Sequence, residues 1–207
     1  MNKIKYKFTD VFIAEEFERI YSVYHSRVFL GTDPILFLYE YSDPLDREIV
    51  ALLASSLAYG RVTQIITSIN RLLLPMGDSP ADFIKSTKPS KLTDLYKDFR
   101  HRFTGPEDIA QLLTGIRKLL RKYGSLNECF IAGYNENDDT ILPGLISFVE
   151  EIFPEINYLL PNPERGSACK RLNLFLRWMV RKDEIDPGGW FGVSPAKLIS
   201  PLDAHMF

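Results

Sequence analysis

Cysteine is scarce in this chain. Cys129 and Cys169 are its only two, too few for a disulfide framework and too few for a zinc or iron–sulfur site built by thiolates alone. Histidine is almost as rare. His25, His101 and His205 show no i, i+4 pairing with carboxylates of the kind that holds zinc on a helix. There is no excess of positive charge: 25 Lys and Arg stand against 27 Asp and Glu, a formal net charge of −2. A nucleic-acid-binding domain is usually basic overall, so any such role here must rest on local charge. No apolar run reaches membrane-spanning length, and the lysine-rich start lacks the apolar core of a signal peptide. The expectation is a cytoplasmic protein with no membrane partner. Also missing are βαβ alternation, internal repeats, a phosphate-binding Gly-rich loop and the spacing of a calcium loop in the acidic stretch 133–139.

What is present is helical periodicity with short connections, and the fold class expected is all-α. The 207 residues, 45% hydrophobic and 25% charged, suffice for one substantial core. We read one all-α unit with room for two lobes, a central one over about 46–190 and a second from 1–45 plus 191–207. Asp10 can cap a helix to about Arg27, and Pro34 starts a short aromatic helix over 35–41. Helices follow over about 46–59, 61–74, 106–123, 125–132 and 140–153. Residues 79–88 read as one helical turn and a polar loop. Small residues at Ala51, Ala54, Ser55, Ser56 and Ala58 suit close helix packing. The stretch 91–103, with Tyr96, Phe99, Arg100, His101, Arg102 and Phe103, is either a nucleic-acid face or core with a solvated basic side.

The organising stretch is Arg165 to Phe207. Leu172, Phe175, Leu176, Met179 and Val180 form the stripe of a helix packed on a core, and Ser167 stands where an N-cap would. Lys170, Arg177 and Arg181 fall together on the opposite side, and no acidic residue occurs from Gly166 to Lys182. A lysine in a first helical turn faces the positive end of the macrodipole, which disfavours the ammonium and favours the nucleophilic free amine. The plainer alternative is a solvated basic face. Asp203 follows a Pro-Leu pair and can cap a new helix, which would account for it without chemistry.

Gly166-Ser167-x-x-Lys170 opening a helix, followed by Pro201-x-Asp203-x-His205-Met206-Phe207, resembles the catalytic segment of the helix-hairpin-helix DNA glycosylases, above all the 8-oxoguanine glycosylase/lyases. The whole chain also resembles an uncharacterised, mainly bacterial family related to them, through Asp46 to Leu52 and the Gly-Ser-Ala-Cys-Lys-Arg-Leu segment at 166–172. The resemblance implies a helix-hairpin-helix fold with a cleft between two helical lobes. Lys170 would attack C1′ of a flipped, damaged purine nucleotide, and Asp203 would assist. Duplex DNA would be gripped by Gly166, Ser167, Arg165, Arg171, Arg177, Arg181 and His205. Tyr59 and Arg61 would reach the gap left by the flipped base, although a helical corner with a glycine cap explains them equally. No cofactor is implied, two cysteines cannot ligate the iron–sulfur cluster of some relatives, and a monomer is expected. The families resembled continue beyond Phe207, which suggests a truncated chain. The hairpin differs too: Leu160-Pro161-Asn162-Pro163-Glu164-Arg165-Gly166 replaces a Leu-Pro-Gly-Val-Gly pattern. The other classes are a non-catalytic nucleic-acid-binding relative and an all-α interaction or scaffold protein.

Overall fold

A computed structural model describes residues 10–153 and 158–202. Among them the chain is all-helical, with no β-strand and one isolated antiparallel bridge between His101 and Thr104. Helix α1 runs Asp10–Tyr24, shorter than expected, and keeps Phe17 and Tyr24 exposed. The aromatic segment Pro34–Glu40 is a 3₁₀ helix rather than an α-helix, capped by the Asp33 carboxylate accepting from Ile35 N at 2.8 Å. It cannot lengthen because the chain must become extended before Asp43-Pro44.

The centre is α2, Pro44–Ser56. Asp43 caps it, Pro44 presets its first turn, and every side chain from Ile49 to Ala54 is fully buried. It packs on α9, Lys170–Val180, and on the 3₁₀ segment. Around this pair lie α3 (Val62–Leu73), α6 (Pro106–Lys122), α7 (Leu126–Ala132) and α8 (Leu142–Ile152). Where one turn and a loop were expected over 79–88, the structure has α4, Pro80–Ser86, followed by α5, Pro89–Leu95. Each begins with a proline, and each is anchored by one fully buried residue, Ile84 and Leu92.

After α9 the chain doubles back. Gly188 N donates to Trp178 O at 3.0 Å and Trp190 N to Met179 O at 2.9 Å. Gly188 is at φ +65, and a Cβ there would sit 2.8 Å from Arg181 O, so glycine is required. Trp190 thereby joins Phe130, Phe148 and Phe175 in one aromatic cluster, with ring centroids 5.1 to 6.2 Å apart. A single buried core extends from Ile35 to Val193 and so crosses both lobe boundaries drawn from the sequence.

Candidate functional site

The approach to α9 is fixed by local bonds. Asn162 accepts from Glu164 N at 2.9 Å and opens a 3₁₀ turn, Pro163–Arg165, closed by Gly166 N donating to Pro163 O at 3.0 Å. The helix is not capped by Ser167, as expected, but by Cys169, which lies in the left-handed region at φ 46, ψ 40. Its thiol donates to Pro161 O at 3.2 Å and is buried, so the chain turns there and not two residues earlier. The Ser167 hydroxyl instead accepts from Cys169 N at 3.2 Å. The backbone amides of Gly166 and Cys169 are thus spent inside the loop.

Lys170 is the first residue of α9 and is exposed. One turn on, the buried Asn173 donates through Nδ2 to Cys169 O at 3.1 Å and Ala168 O at 3.3 Å, which ties the loop to the helix. Its Oδ1 is buried and has no hydrogen-bond partner among the described residues. Lys170, Asn173, Leu174, Arg177 and Arg181 form one wall of a cleft of about 390 Å³, and residues from Pro195 to Pro201 form the other. A neighbouring depression of about 390 Å³ shares Asn173, Ile199, Ser200 and Pro201 and continues past Ser167 and Cys169 to Leu142 and Leu145 of α8. Among the described residues no acidic side chain lines either one.

The cations of this wall differ in how they are held. Arg177 Nε donates to Asp186 Oδ2 at 3.0 Å, and Arg181 Nε lies 3.2 Å from the same oxygen. Arg181 Nη2 also donates to Asp183 Oδ2 at 2.6 Å. Asp186 is fully buried. Burial pushes its carboxyl above the usual range, against the pull of Arg177 and Arg181. Burial opposes ionisation of Asp183 too, but the N–H groups of Asp186 and Ile185 and the Arg181 guanidinium outweigh it and hold that carboxyl at about 2. Both arginines therefore keep a face on the cleft while being anchored from behind.

Arg171 points the other way. Its guanidinium donates to Ser56 O at 2.5 Å and Tyr158 O at 2.7 Å and lies 4.9 and 5.0 Å from the centres of the Tyr59 and Tyr158 rings, which meet edge to face. That is an internal strut between α9 and the end of α2. Tyr59 is committed as well: its hydroxyl donates to His101 O at 2.9 Å and lies 2.6 Å from Thr104 Oγ1. Arg61 stands exposed at the cap position of α3, and Arg165 and Gly166 are exposed on the 3₁₀ turn. Asp203 and His205 lie outside the described residues. The structure thus brings Lys170, Arg177 and Arg181 to one cleft, places Ser167 in the depression beside it, and puts Tyr59 and Arg171 together elsewhere.

Sequence reasoning missed Asn173. Its signal was available, since i+3 from Lys170 puts it one turn along the same side of the helix.

The class that fold and site define is an all-α protein with a cation-lined cleft along α9. The chain belongs to a family described as a protein of unknown function, DUF2400, whose model matches residues 33–207. No curated protein and no solved structure matches it. No helix among the described residues is long and apolar enough to cross a membrane.

Proposed function

We propose that this chain is a DNA N-glycosylase with abasic-site lyase activity, acting on a damaged purine nucleotide flipped out of duplex DNA. One observation carries the proposal. Lys170 opens α9 on one wall of the cleft, and the opposite wall, ending at Pro201, is the segment that leads in sequence to Asp203. At about 390 Å³ the cleft falls within the ~300–1,000 Å³ typical of small-molecule sites.

The chemistry follows from an amine and a carboxylate at such a site. The Lys170 amine attacks C1′ of the sugar, the N-glycosidic bond breaks, and the base leaves with the bond pair and takes up a proton. Loss of an amine proton and opening of the ring give the protonated imine. Removal of a C2′ proton then expels the 3′ phosphate by β-elimination. Asp203 would accept a proton from the amine or stabilise the developing oxocarbenium charge. Arg177 and Arg181, anchored from behind by Asp186 and Asp183, would face backbone phosphates. The cations Lys170, Arg177 and Arg181 on one wall suit a polyanion.

The test is covalent trapping. The protein is mixed with duplex DNA carrying an abasic site or 8-oxoguanine, and borohydride is added. A cross-linked product is expected from the wild type and none from Lys170→Gln, with Asp203→Asn strongly impaired. No adduct from the wild type on either substrate sinks the lyase assignment. Retained duplex binding would then identify a non-catalytic nucleic-acid-binding relative.

A further inference from the structure

A second basic pocket lies away from the Lys170 cleft, between α3 and the turn at residues 101–104. Its volume is about 400 Å³, and among the described residues its lining holds Arg71, Arg100 and Arg102 and no acidic residue. Among the described residues none of the three makes an ion pair; Glu107 and Asp108 in the first turn of α6 stay beyond ion-pair distance. This sets them apart from Arg177 and Arg181, which are tied to carboxylates.

The guanidiniums are positioned without being neutralised. Arg71 Nη2 donates to Asp98 O at 3.2 Å, with its guanidinium 6.0 Å from the Phe99 ring centre. Arg102 lies 6.0 Å from the Tyr59 ring centre and 5.4 Å from that of Phe103. Its backbone is left-handed, at φ 53, a conformation that costs a side-chain-bearing residue energy and for which glycine or asparagine would be usual. The chain nevertheless keeps an arginine there. Gly60 makes room for it: a Cβ at Gly60 would stand 2.7 Å from Arg102 Cδ.

The floor is neutral. His101 is buried, and its Nε2 lies 3.1 Å from Tyr59 O, which can only accept, so Nε2 carries the proton. Nδ1 then accepts from Ser68 Oγ at 2.9 Å. Burial, helped by Arg102 and Arg171, lowers the pKa of this ring and keeps it uncharged. Thr67 Oγ1 is spent on Thr63 O at 2.9 Å. The donors left to an incoming anion are the guanidiniums, the Gln64 amide and the Thr63 hydroxyl.

We infer that this pocket binds a phosphate of a nucleic-acid backbone. Three guanidiniums without an ion-pair partner, in a lining that holds no carboxylate among the described residues, suit a phosphodiester. The pocket rim favours a polymer over a free ion. Thr63, Gln64 and Thr67 are exposed, and beside Arg102 the Phe103 ring is 73% exposed and the Tyr158 ring 51% exposed, with centroids 6.2 Å apart. Exposed rings next to a phosphate site are stacking surfaces for a base. The inference deepens the glycosylase proposal by giving the duplex a second grip, yet it stands on separate residues.

The test uses the full chain and a short fluorescent duplex containing a non-reactive tetrahydrofuran abasic analogue, so that binding is read apart from chemistry. Thr67→Glu, an exposed change that puts a carboxylate in the pocket, should weaken binding about tenfold in moderate salt. Arg100→Gln should weaken it several-fold and reduce the slope of log Kd against log salt by about 1, while Arg100→Lys retains most of the slope. Far-UV circular dichroism checks that each variant is folded. Unchanged affinity and slope in both Thr67→Glu and Arg100→Gln would overturn the inference. So would saturable inorganic-phosphate binding abolished by Thr67→Glu with duplex affinity untouched, which would mark a free-phosphate site. A Thr67→Glu binding defect in a protein that gives no borohydride adduct upholds this inference and sinks the lyase proposal alone.

Discussion

Glu48 is a carboxylate in the middle of the core, 2% exposed. It accepts from Leu126 N at 2.7 Å, Asn127 N at 3.0 Å and Trp190 Nε1 at 2.8 Å, tying α2 to the start of α7 and to the returning chain. Burial raises its pKa to about 7, and the two amides and the indole only partly offset it. The sign of the pH effect follows. Below the ordinary value of 4.5 both folded and unfolded states hold the proton. Between 4.5 and about 7 the folded state keeps a proton that the unfolded state has released, so stability falls as pH rises through that window and levels off above it. The group's share of that fall is up to ~3 kcal/mol. Denaturant melts of wild type and Glu48→Gln at several pH values should show a steeper loss of stability towards neutral pH in the wild type. Equal slopes would mean that the carboxylate titrates normally.

Gly60 and Arg102 belong together at the scale of elements, where the end of α2, the start of α3 and the 101–104 turn meet. Gly60 has φ +101, which penalises any side chain, and its missing Cβ is the space occupied by Arg102 Cδ. Gly60→Ala should therefore cost about 2 kcal/mol or more, part from the dihedral and part from the clash. In an Arg102→Gly background the clash disappears and only the dihedral part persists. Thermal melts of the four proteins in this cycle should show the cost of Gly60→Ala falling by roughly half. Strict additivity would mean that the two sites do not touch.

The same junctions show what the sequence makes legible. The stripe Leu172, Phe175, Leu176, Met179 and Val180 is buried throughout, because burying one helix face imposes its period directly on the residues. The first residue of α9 was two positions from the expected one, because the turn at Cys169 depends on the carbonyl of Pro161, eight residues upstream. The basic face was visible, but the commitments of its arginines were not. Arg177 and Arg181 meet Asp186 and Asp183 in the irregular turn that follows α9, and Arg171 is held by Tyr158 and by Ser56, 115 residues away. Periodicity is local information; which cations stay free is settled by tertiary partners.

On the scale of the molecule, the question is whether the two lobes drawn from the sequence are separate cooperative units. Helices α2 and α9 pack together at the centre, and α2 also carries the 3₁₀ segment Pro34–Glu40, so the earlier and the central parts share one helix. Phe191, the first residue assigned to the second lobe, is bonded on both sides to Asn127 of the central one, whose Nδ2 donates to Phe191 O at 3.1 Å and whose Oδ1 accepts from Phe191 N at 3.2 Å, and Val193 belongs to the same buried core. Tyr39 donates its hydroxyl to Ile185 O, and Arg27 Nε donates to Glu184 O at 2.9 Å, further links across the same boundary. Few of these contacts could survive if one lobe melted alone. Unfolding should therefore be a single transition from α2 outward. Both tryptophans, Trp178 and Trp190, are buried in the central core, so their fluorescence reports that core, whereas far-UV circular dichroism reports all the helices. The two denaturation curves should share one midpoint. A dichroism midpoint well below that of the fluorescence would mean that peripheral helices melt first and that the cleft beside α9 is walled by two independently stable bodies. Its opening would then cost no more than the interface between them, rather than a disruption of the core.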